Sequence, residues 1–276
     1  MVTEVRIVDC HAHIIDAVRF PFAGTKGYRA RADEHGTREE FCAVLDEHGV
    51  SNAVLIQLSG YGTDNSANLD AIKAYPGRFK AIAGVKPEAS DKTLEDLAAA
   101  GVVGVRFNLV SYDPGALSRA DAPRLLQHMK ALGWFAQIYA DDAQWSGAAA
   151  ALRTSGIRVL VDHFGVRDIA VGTRHPGFQS VLALGREGIA IAKLSSLFRV
   201  SRMIKGFDDL DPYVDELLEA FGVRGCIWGS DWPFINVPRR PTYADVLAPL
   251  SRWLPDSGDR ACVLSHNPRR IFGFGG

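Results

Sequence analysis

Eight short apolar runs, each followed by a segment of helical length, constrain this chain more than any other feature. They read VRIVDCHAHI (5–14), SNAVLIQL (51–58), FKAIAGV (79–85), GVVGVRFNL (101–109), WFAQIYA (134–140), RVLVDHFG (158–165), IAIAKLSSL (189–197) and GCIWGSDWP (225–233). Strands that are apolar throughout are buried on both faces, which is how a parallel sheet covered by helices reads. The intervening segments carry the helical period. Phe41, Val44 and Leu45 stand at i, i+3 and i+4, a second helix runs from Ala67 to Ala74 before Pro76 and Gly77, and Ser90 opens a third. A fourth, from Ser118 to Leu132, sets Leu125, Leu126 and Met129 on one face. Thr242 to Trp253 supplies the last outer helix and Asp259 to Phe272 a closing one.

Eight β/α units in 276 residues predict an α/β fold of the (β/α)8 TIM-barrel type: a single domain over 1–276 with a closing C-terminal helix. An open dinucleotide-binding sheet would need a glycine fingerprint after a strand, and the chain has no GxGxxG. The formal charge of −1, without long blocks of one sign, argues against nucleic acid or an anionic membrane surface as partner and leaves small molecules. Cys10, Cys42, Cys226 and Cys262 are scattered and form no CxxC, so reduced thiols are expected. The opening MVTEVRIVDC lacks the layout of a signal peptide and no run reaches the apolar length of a membrane span, so a cytoplasmic location is expected. Monomer and simple homo-oligomer are equally consistent with the sequence.

In barrels of this type the site is built where the strands end at their carboxyl termini. Those ends carry His11 and His13; Gln57 and Ser59; Arg106 and Asn108; Gln137 and Tyr139; Asp162 and His163; Lys193, Ser195 and Ser196, with Arg199 just beyond; and Ser230, Asp231 and Trp232. His11 and His13 alternate with Ala12 and so share one face. A lone histidine at a strand end is most often structural, but a first-strand HxH together with an aspartate on the eighth reverses that. Asp231 can accept a proton from a water held by the imidazoles, although burial and nearby cations push its pKa in opposite directions. Alternation lets only one of Asp162 and His163 face the mouth, so Asp162 reads as structural. Lys193 reads as a wall residue whose ammonium snorkels outward, or as one more charge for an anion alongside Arg106 and Arg199. Tyr28, Tyr61, Phe198 and Trp232 are candidate walls for a flat ring. His35, His48, His128, His175 and His266 fall in loops or helices and are read as structural or solvated.

With HxH, RFN, VDHFG and WGSDWP in this order, and with RFPFA, GTDN and NPRRIFGF around them, the chain resembles the amidohydrolase superfamily. The resemblance is to its amidohydrolase-related branch, the group of 2-pyrone-4,6-dicarboxylate and 4-sulfomuconolactone lactonases. It implies a hydrolase of small carboxylated lactones in aromatic-compound catabolism. In that reading Asp231 activates water, while His11, His13 and His163 polarise the carbonyl or bind a metal. It also implies that Arg106 and Arg199, with Tyr28, Tyr139, Asn108 and Ser59, hold an anionic cyclic substrate; the arginine fork suits a carboxylate. Pyrone lactonases have a Lys-Arg pair shortly after RFN where this chain has Leu109, Val110, Ser111 and Tyr112. The departure removes a cationic contact and points to a different or less charged lactone.

A mononuclear zinc needs about three protein ligands and an open position, and His11, His13 and Asp231 are the candidates. Strand five ends in Gln137, Ile138 and Tyr139, without the histidine that would favour a metal. The expectation is therefore that no cofactor is required, with one divalent metal, zinc, as the alternative. The alternative activity is metal-dependent nonoxidative decarboxylation of a small aromatic or related acid. A barrel that only binds a small acid is the non-enzymatic reading.

Overall fold

The computed structural model describes residues 6–22 and 27–275. Val5, at the head of the first predicted strand, and Ala23, in RFPFA, lie outside these. The eight apolar runs form β1 (Ile7–Ala12), β2 (Val50–Ile56), β3 (Phe79–Ala83), β4 (Val102–Asn108), β5 (Phe135–Tyr139), β6 (Arg158–Val161), β7 (Ala190–Ser195) and β8 (Cys226–Gly229). They pair in sequence order, every neighbour parallel. The circle closes past the end of β8, where Asp231 N donates to His11 O (2.7 Å) and His13 N to Trp232 O (2.9 Å). The fold is a (β/α)8 barrel.

The outer layer comprises α1 (Arg38–Glu47), α2 (Ser66–Ala74), α3 (Asp91–Ala99), α4 (Ala122–Ala131), α5 (Trp145–Ser155), α6 (Pro176–Arg186), a single turn α7 (Leu197–Val200), and α8 (Asp211–Phe221). The predicted helix from Ser118 begins later, at Ala122, with Pro123 in the first turn, where its missing N–H costs nothing. The segment Thr242–Trp253 splits at Pro249 into α9 (Tyr243–Leu247) and α10 (Leu250–Trp253). The closing segment is α11 (Ser257–Ala261), a π-helical turn over Cys262–His266, and α12 (Asn267–Phe272).

Two hydrophobic layers follow from strand alternation. Val8, Cys10, Val54, Ile56, Ile82, Phe135, Leu160 and Ile227 fill the barrel, and Ile271, Phe272 and Phe274 close its floor against them. Ala53, Leu55, Val105, Ile138, Val161, Leu194 and Trp228 face the helices. With the floor plugged by apolar side chains, the polar ends of the strands can gather only at the opposite mouth. Among the described residues no helix is long and apolar enough to cross a membrane.

Candidate active site

At the mouth β1 stops obeying alternation, and backbone conformation decides what points inward. β1 shifts register against β2 between Asp9 and Ala12, so Cys10 packs in the interior and yet His11 also faces the mouth. Asp9 turns instead to the closing seam. There its carboxylate accepts from Ser230 N (2.9 Å), Ser230 Oγ (2.6 Å) and the Tyr243 hydroxyl (2.9 Å). Gly229 at the end of β8 is required by that approach: a Cβ there would lie 2.6 Å from both Cβ and N of His11.

β6 ends at Val161, Asp162 stays extended, and His163 and Phe164 take left-handed φ of 50° and 62°. His163 faces the cavity and Asp162 lies beneath it, so only one of the two faces the mouth, as alternation predicts. Ser196 (φ 59°) and Asp231 (φ 63°) adopt the same left-handed conformation, which is sparsely populated by residues other than glycine and tends to cluster at functional sites.

Asp231 is buried and is surrounded on both oxygens. Oδ1 faces His13 Nε2 at 3.2 Å and His11 Nε2 at 3.7 Å. Oδ2 accepts from the Ser196 hydroxyl and from Arg199 Nη2 at 3.3 Å. Burial works against its ionisation, but His13, Arg199 and the other imidazoles outweigh it and hold the carboxyl well below the usual carboxylate range. His13 Nδ1 lies 2.8 Å from Ile56 O, so it carries a hydrogen and donates. His163 Nδ1 lies 3.0 Å from Ser195 Oγ, and burial pushes the ring down to about 4, which leaves it neutral at neutral pH.

Beneath these groups lies a second, fully enclosed layer. Lys193 does not snorkel out: it is 0% exposed, and Nζ sits 2.9 Å from His11 Nδ1, 3.1 Å from Gln137 Oε1 and 3.3 Å from Asp162 Oδ1. Asp162 Oδ2 receives Gln137 Nε2 at 3.1 Å and faces Arg106 Nε at 3.5 Å. Burial opposes the Asp162 charge, but Lys193 and its other neighbours hold the carboxyl well below its usual range. Asp162 is thus the counter-charge of the site's floor rather than a partner for nearby backbone.

Above this floor opens a cavity of about 510 Å³. Its lining includes His13, His163 and Asp231, together with Arg106, Arg199, Tyr28, Tyr139, Asn108 and Ser59. The Arg106 guanidinium lies over the Tyr139 ring at 5.6 Å, and Tyr28 donates its hydroxyl to Glu34. His11 sits behind this lining. Tyr61, Phe198 and Trp232 do not form the wall. Tyr61 hydrogen-bonds Asp16 N, Phe198 packs edge-on to Phe234, and Trp232 stacks on Phe41 at 4.8 Å. Arg167 and Asn236 also line it, neither of them singled out from the sequence. Arg167 follows the irregular turn after β6, where no period marks it, and a count of cations near strand ends is the one signal that would have found it.

Among the described residues, two groups of three side chains bring ligand atoms within 4.8 Å of one another: His11, His13 and Asp231, and His11, Asp162 and His163. His11 belongs to both.

A family model described as amidohydrolase matches residues 8–274. The chain is 28% identical to 4-sulfomuconolactone hydrolase of Hydrogenophaga intermedia over 270 residues, covering 96% of this chain and 88% of that one. It is 30% identical to 2-pyrone-4,6-dicarboxylate hydrolase of Comamonas testosteroni over 280 residues, with coverages of 96% and 89%. A probable 2-pyrone-4,6-dicarboxylic acid hydrolase from Acinetobacter baumannii, solved with citric acid bound, superposes with a TM-score of 0.89 at 30% identity over 98% of this chain and 100% of that one. With a match that spans nearly its whole length, the chain belongs to the amidohydrolase family.

Proposed function

We propose that this amidohydrolase opens a small anionic lactone by general-base attack of water. The observation that carries the reading is Asp231: a carboxylate kept ionised by His13 and Arg199 at the bottom of a cavity rimmed by Arg106, Arg167 and Arg199. The lactones named for the relatives are of this chemical kind.

A water between Asp231 and the lactone carbon gives its proton to the carboxylate as its oxygen bonds to the carbonyl carbon. The charge that develops on the carbonyl oxygen is met by an imidazole N–H donor. His163, on the cavity lining, supplies it from Nε2 in the tautomer in which its Nδ1 accepts from the Ser195 hydroxyl, while His11 stands behind the lining and faces Asp231 Oδ1 at 3.7 Å. Donors preorganised for an oxyanion are often the largest catalytic contribution. The ring C–O bond then breaks and the leaving oxygen takes the proton from Asp231. The product is a ring-opened acid that ionises at neutral pH. Arg106, Arg199 and Arg167 orient the substrate carboxylates, with Tyr28, Tyr139, Asn108 and Ser59 around the ring. The steps proposed use these side chains alone; His11, His13 and Asp231 are the residues that would hold a divalent metal, which would supply Lewis-acid polarisation of the carbonyl. Membership of aromatic-compound breakdown fits such a substrate.

The test is a panel of lactones bearing one to three carboxylates, followed by proton release in weakly buffered indicator and by trapping of carbon dioxide. One proton per lactone consumed, without carbon dioxide, is the expected result. Carbon dioxide release from an aromatic acid, with no lactone opened, refutes the proposal in favour of decarboxylation.

A further inference from the structure

We propose that Glu34, which stands behind the cavity lining, is a positioning residue that aims Arg199 at the substrate carboxylate, acting through the single peptide group that joins Ile235 to Asn236. The part played in substrate binding rests on the lactonase reading above; the hold on Arg199 does not.

Glu34 lies in the loop between β1 and α1 and is 0% exposed. A carboxylate so enclosed needs donors on both oxygens. Oε2 accepts from the Tyr28 hydroxyl and from Arg31 N (2.9 Å), and Oε1 accepts from Asn236 N (2.6 Å) and pairs with Arg31 Nη2 (2.9 Å). Burial opposes the charge, but the Tyr28 hydroxyl, the N–H groups of Arg31 and Asn236 and the Arg31 guanidinium outweigh it and hold the carboxyl below its ordinary value. The loop is itself anchored shortly after β1, where Ile15 N donates to Gly36 O (2.7 Å) and Gly36 N to Ile15 O (2.9 Å).

What Glu34 grips is one end of a rigid unit. The C=O of Ile235 and the N–H of Asn236 belong to the same trans peptide group, which is planar, so the two point in opposite directions. Glu34 takes the N–H at 2.6 Å, and on the other side Ile235 O accepts Arg199 Nη2 at 3.0 Å. Fixing one end fixes the other. Regular structure does not do so: residues 234–236 belong to no helix or strand, and Phe234 and Asn236 take left-handed φ of 61° and 55°. Arg199 Nη2 also reaches Asp231 Oδ2, at the longer distance of 3.3 Å, and Nε donates to Ser196 Oγ at 3.2 Å. Since the Ser196 hydroxyl donates to Asp231 in turn, both of these partners belong to the cluster around the base. The Ile235 carbonyl is therefore the contact that draws the guanidinium away from that cluster. Without it Arg199 settles on Asp231 and is lost to a substrate carboxylate.

The experiment uses the full chain with ¹³C,¹⁵N-labelled arginine, the Arg199 signals being assigned by their loss in Arg199→Lys. Without any ligand, the held guanidinium of wild type should give separate Nη1 and Nη2 signals. In Glu34→Ala these should merge as rotation is freed, while the signals of Arg153, paired with Glu187 on the outside of the barrel, stay as in wild type. For the lactone of the panel that wild type opens, Glu34→Ala should raise KM about tenfold, the low end for a charged hydrogen bond, and lower kcat by less. In an Arg199→Ala background the same change should add less than about twofold to KM, because the two residues act through one contact. Should Glu34→Ala not fold, Glu34→Asp keeps the charge but is one methylene too short to span from Arg31 N to Asn236 N, and it is read by the same spectra and the same cycle. Merged Nη signals in wild type, separate ones in the variant, or an effect on KM that persists undiminished without Arg199 overturns the proposal. Merged signals in the variant of a protein that opens no lactone sink the lactonase reading alone; a lactone opened by Glu34→Ala with the wild-type KM sinks this one alone.

Discussion

Replacing Asp231 by asparagine tests the chemistry most directly, because it keeps the shape of the side chain and removes the base. The structure sets the size of the effect. The substituted amide would retain an oxygen for the Ser196 hydroxyl and Arg199, which contact Oδ2 in the wild type. Its nitrogen would replace Oδ1 opposite His13 Nε2, 3.2 Å away, and donate to it. The polar partners are therefore conserved, the backbone at φ 63° is one that asparagine tolerates well, and the fold should survive. What is lost is proton transfer, which supplies about 10²–10⁴-fold in rate, or about 3–5 kcal/mol of barrier at 1.36 kcal/mol per decade. Initial rates of proton release on a lactone that the wild type consumes should show kcat down by that factor, with KM nearly unchanged and the thermal midpoint close to wild type. Asp231→Glu keeps the base but displaces it, and should lose about 10²-fold. A folded Asp231→Asn protein that retains kcat within about tenfold would show that Asp231 is not the base.

Three further outcomes are expected. His163, with its folded value lowered to about 4, binds a proton in the unfolded chain before it does in the folded one, so stability should fall as pH drops from about 6.5 toward 4. The full cost at this residue is about 3 kcal/mol; denaturant unfolding of His163→Gln should lose less over that window than wild type, and an equal loss would refute the assignment. Arg167→Ala should raise KM for a dicarboxylated lactone about tenfold, the low end for a charged hydrogen bond at an exposed rim, and leave a monocarboxylated one nearly unchanged; equal effects on both refute a second-carboxylate contact. Gly229→Ala should destabilise by about 1–3 kcal/mol, since its Cβ must displace His11 backbone and side chain; an unchanged thermal midpoint would show that the seam yields.

The barrel was legible because burial on both faces writes each strand as a continuous apolar run, and eight such runs leave few topologies. Site membership was legible where it depended only on strand ends, which brought His13, Asp231, Arg106 and Arg199 to one mouth. Alternation held for Asp162 and His163, of which only His163 faces the cavity. What it did not reveal is that the buried Asp162 meets Lys193 and Arg106 rather than backbone. Lys193 was misread for a different reason. Snorkelling is the general solution for a lysine without a counter-charge, and the counter-charge here, Asp162, stands just past the end of the neighbouring strand, some thirty residues away in sequence. Trp232 looked like a cavity wall from its place beside Asp231, but the peptide after a left-handed residue sends it outward onto Phe41.

The place where the barrel closes is also the place where its chemistry is assembled, and one set of hydrogen bonds serves both. His11 O accepts Asp231 N and Trp232 O accepts His13 N, so the backbone bonds that join the first strand to the last belong to the same residues whose side chains meet at Asp231 Oδ1. Asp9, buried at this seam, ties it a second time through Ser230 and Tyr243. Proton transfer tolerates little displacement, and a shift of about 1 Å costs roughly 10²-fold, whereas a seam can loosen that far while the other seven strand pairs hold. Activity in this protein should therefore be lost at milder denaturant than the far-ultraviolet signal of the barrel. The sensitivity comes from topology: residues more than two hundred positions apart form the base and its imidazole partners, and only closure of the circle brings them together.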